Sequence, residues 1–167
     1  MITNIKISNC FLRPFEKGDQ NIVLEMRNQD HVRENMINQD FITKKTHVKW
    51  FEIVLNSKDK AYYIFEYKNK TAGVVGFFNI HPGELADWSF YLTEGDWPKG
   101  LGTQMCYMGL SIFFEKLNTF GIETNILPNN KKSISLHEKL GFIYQNKNEN
   151  LVCMKIEYSK WQNKFSQ

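Results

Sequence analysis

Two short runs of sequence collect residue types that can do chemistry. The first, Asp96-Trp97-Pro98-Lys99-Gly100-Leu101-Gly102-Thr103, sets two glycines and a lysine just ahead of an apolar-striped segment. Glycines let consecutive backbone N–H groups turn toward one point, and a helix start adds unpaired donors at the positive end of its dipole. Lys99 to Thr103 therefore make a cradle that suits a pyrophosphate. A plain tight turn needing φ > 0 would use the same glycines. The run lacks the Gly-Lys-Ser/Thr ending of a Walker loop and the third glycine of a dinucleotide fingerprint, which removes both of those nucleotide classes. The second run, Asn130 to Phe142, carries His137, whose ordinary pKa of about 6.5 allows it to hold or release a proton near neutral pH. A packed histidine on a helix is the alternative. His137-Glu138-Lys139-Leu140-Gly141 lacks the second His of a zinc motif, so no metal is expected.

Such residues act only if the chain around them holds them in place. Ile5 to Leu12, ending at Arg13-Pro14, predicts an extended start, and apolar residues recur at helical spacing around Gln20 to Asn28 and Thr46 to Leu55. Ala61 to Tyr67 and Ala72 to Ile80 flank the polar Lys68-Asn69-Lys70 and predict a hairpin; Ala86 to Leu92 adds a third strand after the Pro82-Gly83 turn. The glycine run then enters a helix over Thr103 to Leu117, where Met105, Met108, Ile112 and Phe113 repeat every three to four residues. Ile122 to Leu127 predicts a strand stopped by Pro128, Lys131 to Leu140 a helix closed by Gly141, and Leu151 to Tyr158 a last strand. The order predicts an α/β (α+β) fold, a mixed sheet with helices on both faces. Asp87 on the third strand of the meander, Glu84 before it and Glu123 on the next strand are the carboxylates placed to take up a proton, directly or through water; ordinary surface or paired carboxylates would look the same.

Composition narrows the setting. The 167 residues suit one domain, 1–167, and 42% apolar with 14% aromatic residues supply a core. A net charge of +3, spread along the chain, gives no basic block for nucleic acid. No stretch nears the ~20 apolar residues of a membrane helix, Met1 to Asn9 lacks the order of a signal peptide, and Cys10, Cys106 and Cys153 are unpaired by spacing. Buried thiols in a cytoplasmic protein are expected.

Lys99-Gly100-Leu101-Gly102-Thr103 resembles the coenzyme A pyrophosphate loop of the GNAT acetyltransferase superfamily, Gln/Arg-x-x-Gly-x-Gly/Ala. Trp97 holds the Gln/Arg position, so that donor is either absent or supplied by Lys99. Asn130-Lys131-Lys132-Ser133-Ile134-Ser135-Leu136-His137-Glu138-Lys139-Leu140-Gly141-Phe142 resembles the family's Asn-x-x-Ser-x-x-Leu-Tyr-Glu-Lys-Leu-Gly-Phe signature, with His137 in place of Tyr. The likeness runs in order from Cys10 to Tyr158. It implies the GNAT fold, a central sheet of about six to seven strands splayed between the fourth and fifth. It also implies acetyl transfer from acetyl-CoA by direct attack of an amine on the thioester. Asn130 and Ser133 fall on the cofactor side, Leu92 and Thr93 on the opened strand whose N–H groups meet cofactor and oxyanion, and His137 in the place of the general acid.

The N-terminal third carries a narrower likeness. Leu24-Glu25-Met26-Arg27-Asn28, Val32-Arg33-Glu34-Asn35-Met36, Ile42, His47 and Trp50 are similar to the Leu-x-Trp-Arg-Asn … Val-Arg-x-x-Met … His-x-x-Trp pattern of the pseudaminic-acid pathway acetyltransferases, with Met26 where Trp is usual. That implies as acceptor the 4-amino group of a UDP-4-amino-4,6-dideoxy sugar. A guanidinium can bind phosphates bidentately and aromatic faces can stack on uracil, so Arg27, Met36, His47 and Trp50 would form the acceptor wall. As structural residues, Met36 and Trp50 would pack and Arg27 would bridge helices. The Arg-Asn pair is shared with ribosomal-protein acetyltransferases, which keeps a protein N-terminus or another small amine as the alternative acceptor. A relative that holds coenzyme A without turnover, and a homodimer, stay open.

Overall fold

The computed structural model describes residues 8–116 and 119–165. Its strands are β1 (Cys10–Pro14), β2 (Ala61–Tyr67), β3 (Lys70–Phe78), β4 (Leu85–Leu92), β5 (Gly121–Ile126), β6 (Ile143–Lys147) and β7 (Val152–Glu157). They form one sheet in the order β1-β2-β3-β4-β5-β7-β6, antiparallel throughout except for β4 beside β5. The helices are α1 (Gln20–Arg27), α2 (Asp30–Arg33), α3 (Lys44–Asn56), α4 (Leu101–Lys116), α5 (Lys131–Leu140) and α6 (Tyr158–Phe165). This is the mixed, helix-flanked sheet that the sequence predicts.

Strand alternation builds two cores from single strands. Phe65, Val75 and Phe77 pack with Met105, Leu110 and Phe113 of α4, while their neighbours Ile64 and Val74 turn to the other face and meet Val23, Met26, Phe51 and Val54 of α1 and α3. Each such buried side chain contributes about 1.5–3 kcal/mol. The β2–β3 turn is the tight one its residues demand, with Lys68 and Asn69 at φ 49° and 61°. Thr43 caps α3 by accepting from the Thr46 N–H, Asn130 caps α5 by accepting from Ser133 N–H, and Gly141 ends α5 at φ 97°.

The feature that positions a site is the parting of β4 from β5. The two strands pair only from Leu85↔Gly121 to Asp87↔Glu123, after which β4 runs on to Leu92 and β5 to Ile126 without each other. The sheet opens there into a V.

Three elements escape the sequence reading. The single turn α2 is too short for a periodic stripe, and every residue of β6 is exposed, so no alternation marks it. In α6 Trp161 is the one buried residue among those described, and the strand pattern before it runs on into its first residue, Tyr158. The helix after the glycines begins at Leu101, two residues before Thr103, and Leu117 lies outside the described residues, as do residues 5–7 of the extended start. Of the thiols, Cys106 is buried but Cys10 and Cys153 are half-buried.

Candidate active site

The V continues into a cleft of about 920 Å³ that passes between two walls. One wall comes from α4, β5 and α5, including Gly102, Asn130, Ser133 and His137; the other comes from α1 to α3, including Arg27, Met36, His47 and Trp50. Residues Asp87 to Leu92 of β4 form the floor.

Backbone geometry decides what the floor can bind. The Thr93 N–H donates to the Ala72 carbonyl at 2.8 Å, so in the alternating antiparallel ladder the N–H and C=O groups of Leu92 and Phe90 point the other way, into the V. The Leu92 carbonyl accepts from His31 Nε2 at 3.0 Å. The Leu92 N–H and both backbone groups of Phe90 remain available. This corrects the expectation for Thr93, whose N–H and hydroxyl both go to Ala72.

The glycine run is also sorted. Gly100 takes φ 93°, the Leu101 N–H donates to Pro98, and the Leu101 side chain lies in the core. Leu101 is thus a core residue instead of a cofactor contact. Among the described residues the helix-terminal N–H groups of Gly102 and Thr103 have no partner, and a Cβ on Gly102 would meet the Leu92 side chain at an ordinary 3.4 Å. Lys99 is exposed beside them. Trp97, in place of the family's Gln/Arg, folds back: its indole N–H donates to the Thr93 carbonyl at 2.9 Å and its ring meets Tyr67 edge-on. A strand edge with free amides for the amide-bearing pantetheine arm and a helix N-terminus for the pyrophosphate fit coenzyme A.

His137 lies 1% exposed with both nitrogens engaged. Trp88 donates its indole N–H to Nε2 at 3.2 Å, and Nδ1 lies 2.7 Å from the Ser133 carbonyl. An indole only donates and a carbonyl only accepts, so Nε2 holds the lone pair and Nδ1 the proton. Burial pulls its pKa down to about 4. In this geometry His137 has no proton directed at the cleft, contrary to the general-acid expectation.

The wall from α1 to α3 is braced from within. Arg27 donates through Nη2 to the Asn38 carbonyl at 2.8 Å, while its buried Nη1 has no hydrogen-bond partner among the described residues. Burial lowers its pKa, and the Tyr91 hydroxyl is near enough to feel its charge. Asn28 grips Ile42 in both directions, accepting from its N–H and donating to its carbonyl, each at 2.9 Å, which explains the Arg-Asn pair as a clamp on the α2–α3 loop. His47 is buried and donates Nε2–H to the Gln20 carbonyl at 2.8 Å, tying α3 to α1; desolvation lowers its pKa. Trp50 packs edge-on against Tyr62 at 5.3 Å, and Met36 sulfur receives the Ser89 hydroxyl at 3.9 Å. Tyr62 and Tyr91 line the cleft and were missed by sequence reasoning, as was Phe90. Burial drives the Tyr62 pKa up to about 12 and raises Tyr91 further, so both hydroxyls stay protonated donors.

Of the carboxylates, Asp87 borders the cleft and accepts from Asn79 Nδ2 at 2.7 Å. Glu123 stands beside it in register but outside the cleft lining, and Glu84 is an exposed loop residue away from it. Among the described residues no group of three His, Cys, Asp or Glu could hold a metal, and no helix is long and apolar enough to cross a membrane.

The comparisons agree with this geometry. Residues 9–143 match the family model of the acetyltransferase (GNAT) domain. An uncharacterized SPbeta prophage-derived N-acetyltransferase of Bacillus subtilis (strain 168), YokL, is 27% identical over 153 residues, 90% of this chain and 85% of that protein. Among solved structures, the spermidine N-acetyltransferase from Vibrio cholerae in complex with CoA and spermine superimposes with TM-score 0.84 at 18% identity, covering 94% of this chain and 100% of that one. AAC(6')-Ib in complex with ribostamycin and coenzyme A gives 0.81 at 20%, covering 95% and 99%. The Campylobacter jejuni N-acetyltransferase PseH is more distant, with TM-score 0.68 at 13% identity, covering 89% of this chain and 98% of that one. These structural likenesses are of fold. Because the family match spans most of the chain and the V, the free strand amides and the glycine-led helix start all suit its cofactor, the chain belongs to the GNAT family and is an acetyl-CoA-dependent N-acetyltransferase.

Proposed function

We propose that the acceptor is a small amine that also carries negative charge, the 4-amino group of a UDP-linked 4-amino-4,6-dideoxy sugar. The observation that carries this reading is Arg27 Nη1, a buried guanidinium N–H lining the cleft with no partner among the described residues. An unmet buried donor costs about 1–3 kcal/mol, and an anionic group in the cleft would meet it. The Tyr62 and Tyr91 hydroxyls add donors, and Trp50 with Tyr62 offers an aromatic wall to a nucleobase. A polyamine would set several positive charges against Arg27, with Asp87 as the only carboxylate among the described lining residues.

In this reading Asp87, steadied by Asn79, takes the proton released by the attacking amine. As nitrogen bonds to the acyl carbon and the C–S bond breaks, the Phe90 N–H, the deeper of the two free strand amides in the V, faces the oxygen that gains charge. The sulfur leaves as thiolate toward Asn130 and Ser133 and takes its proton from solvent. Acetylation of UDP-4-amino-4,6-dideoxy sugars, spermidine and a ribosomal-protein N-terminal peptide, compared by kcat/KM, tests the acceptor. The nucleotide sugar is expected to rank first, and a higher value for spermidine or the peptide overturns this assignment.

A further inference from the structure

We propose that His137 is a positioning residue that sets the width of the V by accepting a hydrogen bond from Trp88, and that it is not the proton donor to the leaving thiolate. Trp88 stands on β4 immediately after Asp87, the last residue paired with β5, and His137 stands on α5, the helix that follows β5. The indole-to-imidazole bond is therefore a side-chain tie between the two arms where the ladder between them stops. Both partners are buried, at 4% and 1% exposure, so water cannot replace either end.

The tie acts on both sides of the cleft. Through Nδ1–H, His137 holds the Ser133 carbonyl, and with it the first turn of α5 that carries Asn130 and Ser133. Through Nε2 it holds the strand that presents Phe90. Phe90 and Phe142 close over the imidazole with ring centroids 5.5 and 4.8 Å away, and among the described residues the ring's polar partners are Trp88 and Ser133. A proton on Nε2 would face an indole N–H, donor against donor. Tyrosine at this place could hold a proton for the thiolate; this histidine instead spends both nitrogens on geometry.

The wild-type protein provides the first test. With ¹⁵N-labelled histidine, Nδ1 should read as protonated and Nε2 as a hydrogen-bonded lone pair from about pH 6 to 8, with and without coenzyme A. Protonation of Nε2 within that range, or loss of the Trp88 indole bond on adding coenzyme A, overturns the proposal. Variants provide the second. Trp88→Phe removes the donor but leaves the imidazole, and should weaken coenzyme A binding by about tenfold in calorimetry while kcat changes by less than about threefold. His137→Gln, which retains an acceptor, should bind coenzyme A better than His137→Phe. If Trp88→Phe binds normally and both His137 variants lose kcat alike and lose one limb of the pH profile, His137 is the acid after all.

Discussion

The Ser133 carbonyl oxygen lies 2.7 Å from Nδ1 of His137, and that contact places the proton on Nδ1, while burial and the Trp88 indole N–H at Nε2 keep the imidazole neutral. Its pKa, about 4 when folded, lies below the ordinary unfolded value near 6.5. Between these values the unfolded chain binds a proton that the folded chain refuses, so stability falls as pH drops from about 6.5 toward 4, by up to about 3 kcal/mol. No such loss operates above pH ~7. His47, lowered by desolvation, acts in the same direction. Urea unfolding at several pH values should show a shallower acid slope for His137→Gln than for wild type.

The glycine loop separates two effects. Gly102→Val adds carbon over the free N–H groups with only an ordinary contact to Leu92, so coenzyme A affinity should fall by about tenfold or more while the melting temperature holds. Gly100→Ala, at φ 93°, should cost about 1–2 kcal/mol of stability. Calorimetry and thermal melts on the two variants distinguish a binding glycine from a conformational one.

Arg27→Ala should raise KM for the anionic acceptor by the worth of a charged hydrogen bond, about 1.5–3 kcal/mol, and leave coenzyme A affinity unchanged. Lysine should not restore it, because an ammonium cannot both hold the Asn38 carbonyl and present a second planar N–H to the ligand. Full rescue by Arg27→Lys would reduce Arg27 to a generic charge.

Asp87→Asn keeps the size and the contact with Asn79 but cannot accept a proton at working pH. It should lower kcat by about 10²–10⁴, while Glu84→Gln, in an exposed loop, should leave kcat unchanged. A normal rate for Asp87→Asn would remove it from the chemistry.

Periodicity and turn chemistry exposed most of this fold in advance: β2 and α5 occupy the residues their patterns predict, and Gly141 ends its helix as a left-handed cap. The site was only partly legible. Adjacent strand residues turn their backbone groups to opposite sides, so Leu92 and Thr93 cannot both face the cleft; the parity of β4 points to Phe90 with Leu92. The same alternation puts Tyr91 on the face of Asp87, a signal present in the sequence but not used. Trp88 and His137 are a different matter, since 49 residues separate them and no local pattern reveals that one donates to the other. The status of Arg27 likewise depends on which carbonyl of the α2–α3 loop folds over it.

The short seam between β4 and β5 makes this protein a sheet with a missing rung. A cosubstrate whose amides lay along Phe90 and Leu92 would complete the ladder and serve as structural material. By mass action, a hundredfold excess over its dissociation constant adds about 2.7 kcal/mol to the folded state. The enzyme is consequently sturdiest when its acyl donor is plentiful and easiest to unfold or degrade when the donor is scarce, which writes the supply of a metabolite into the lifetime of the chain that consumes it.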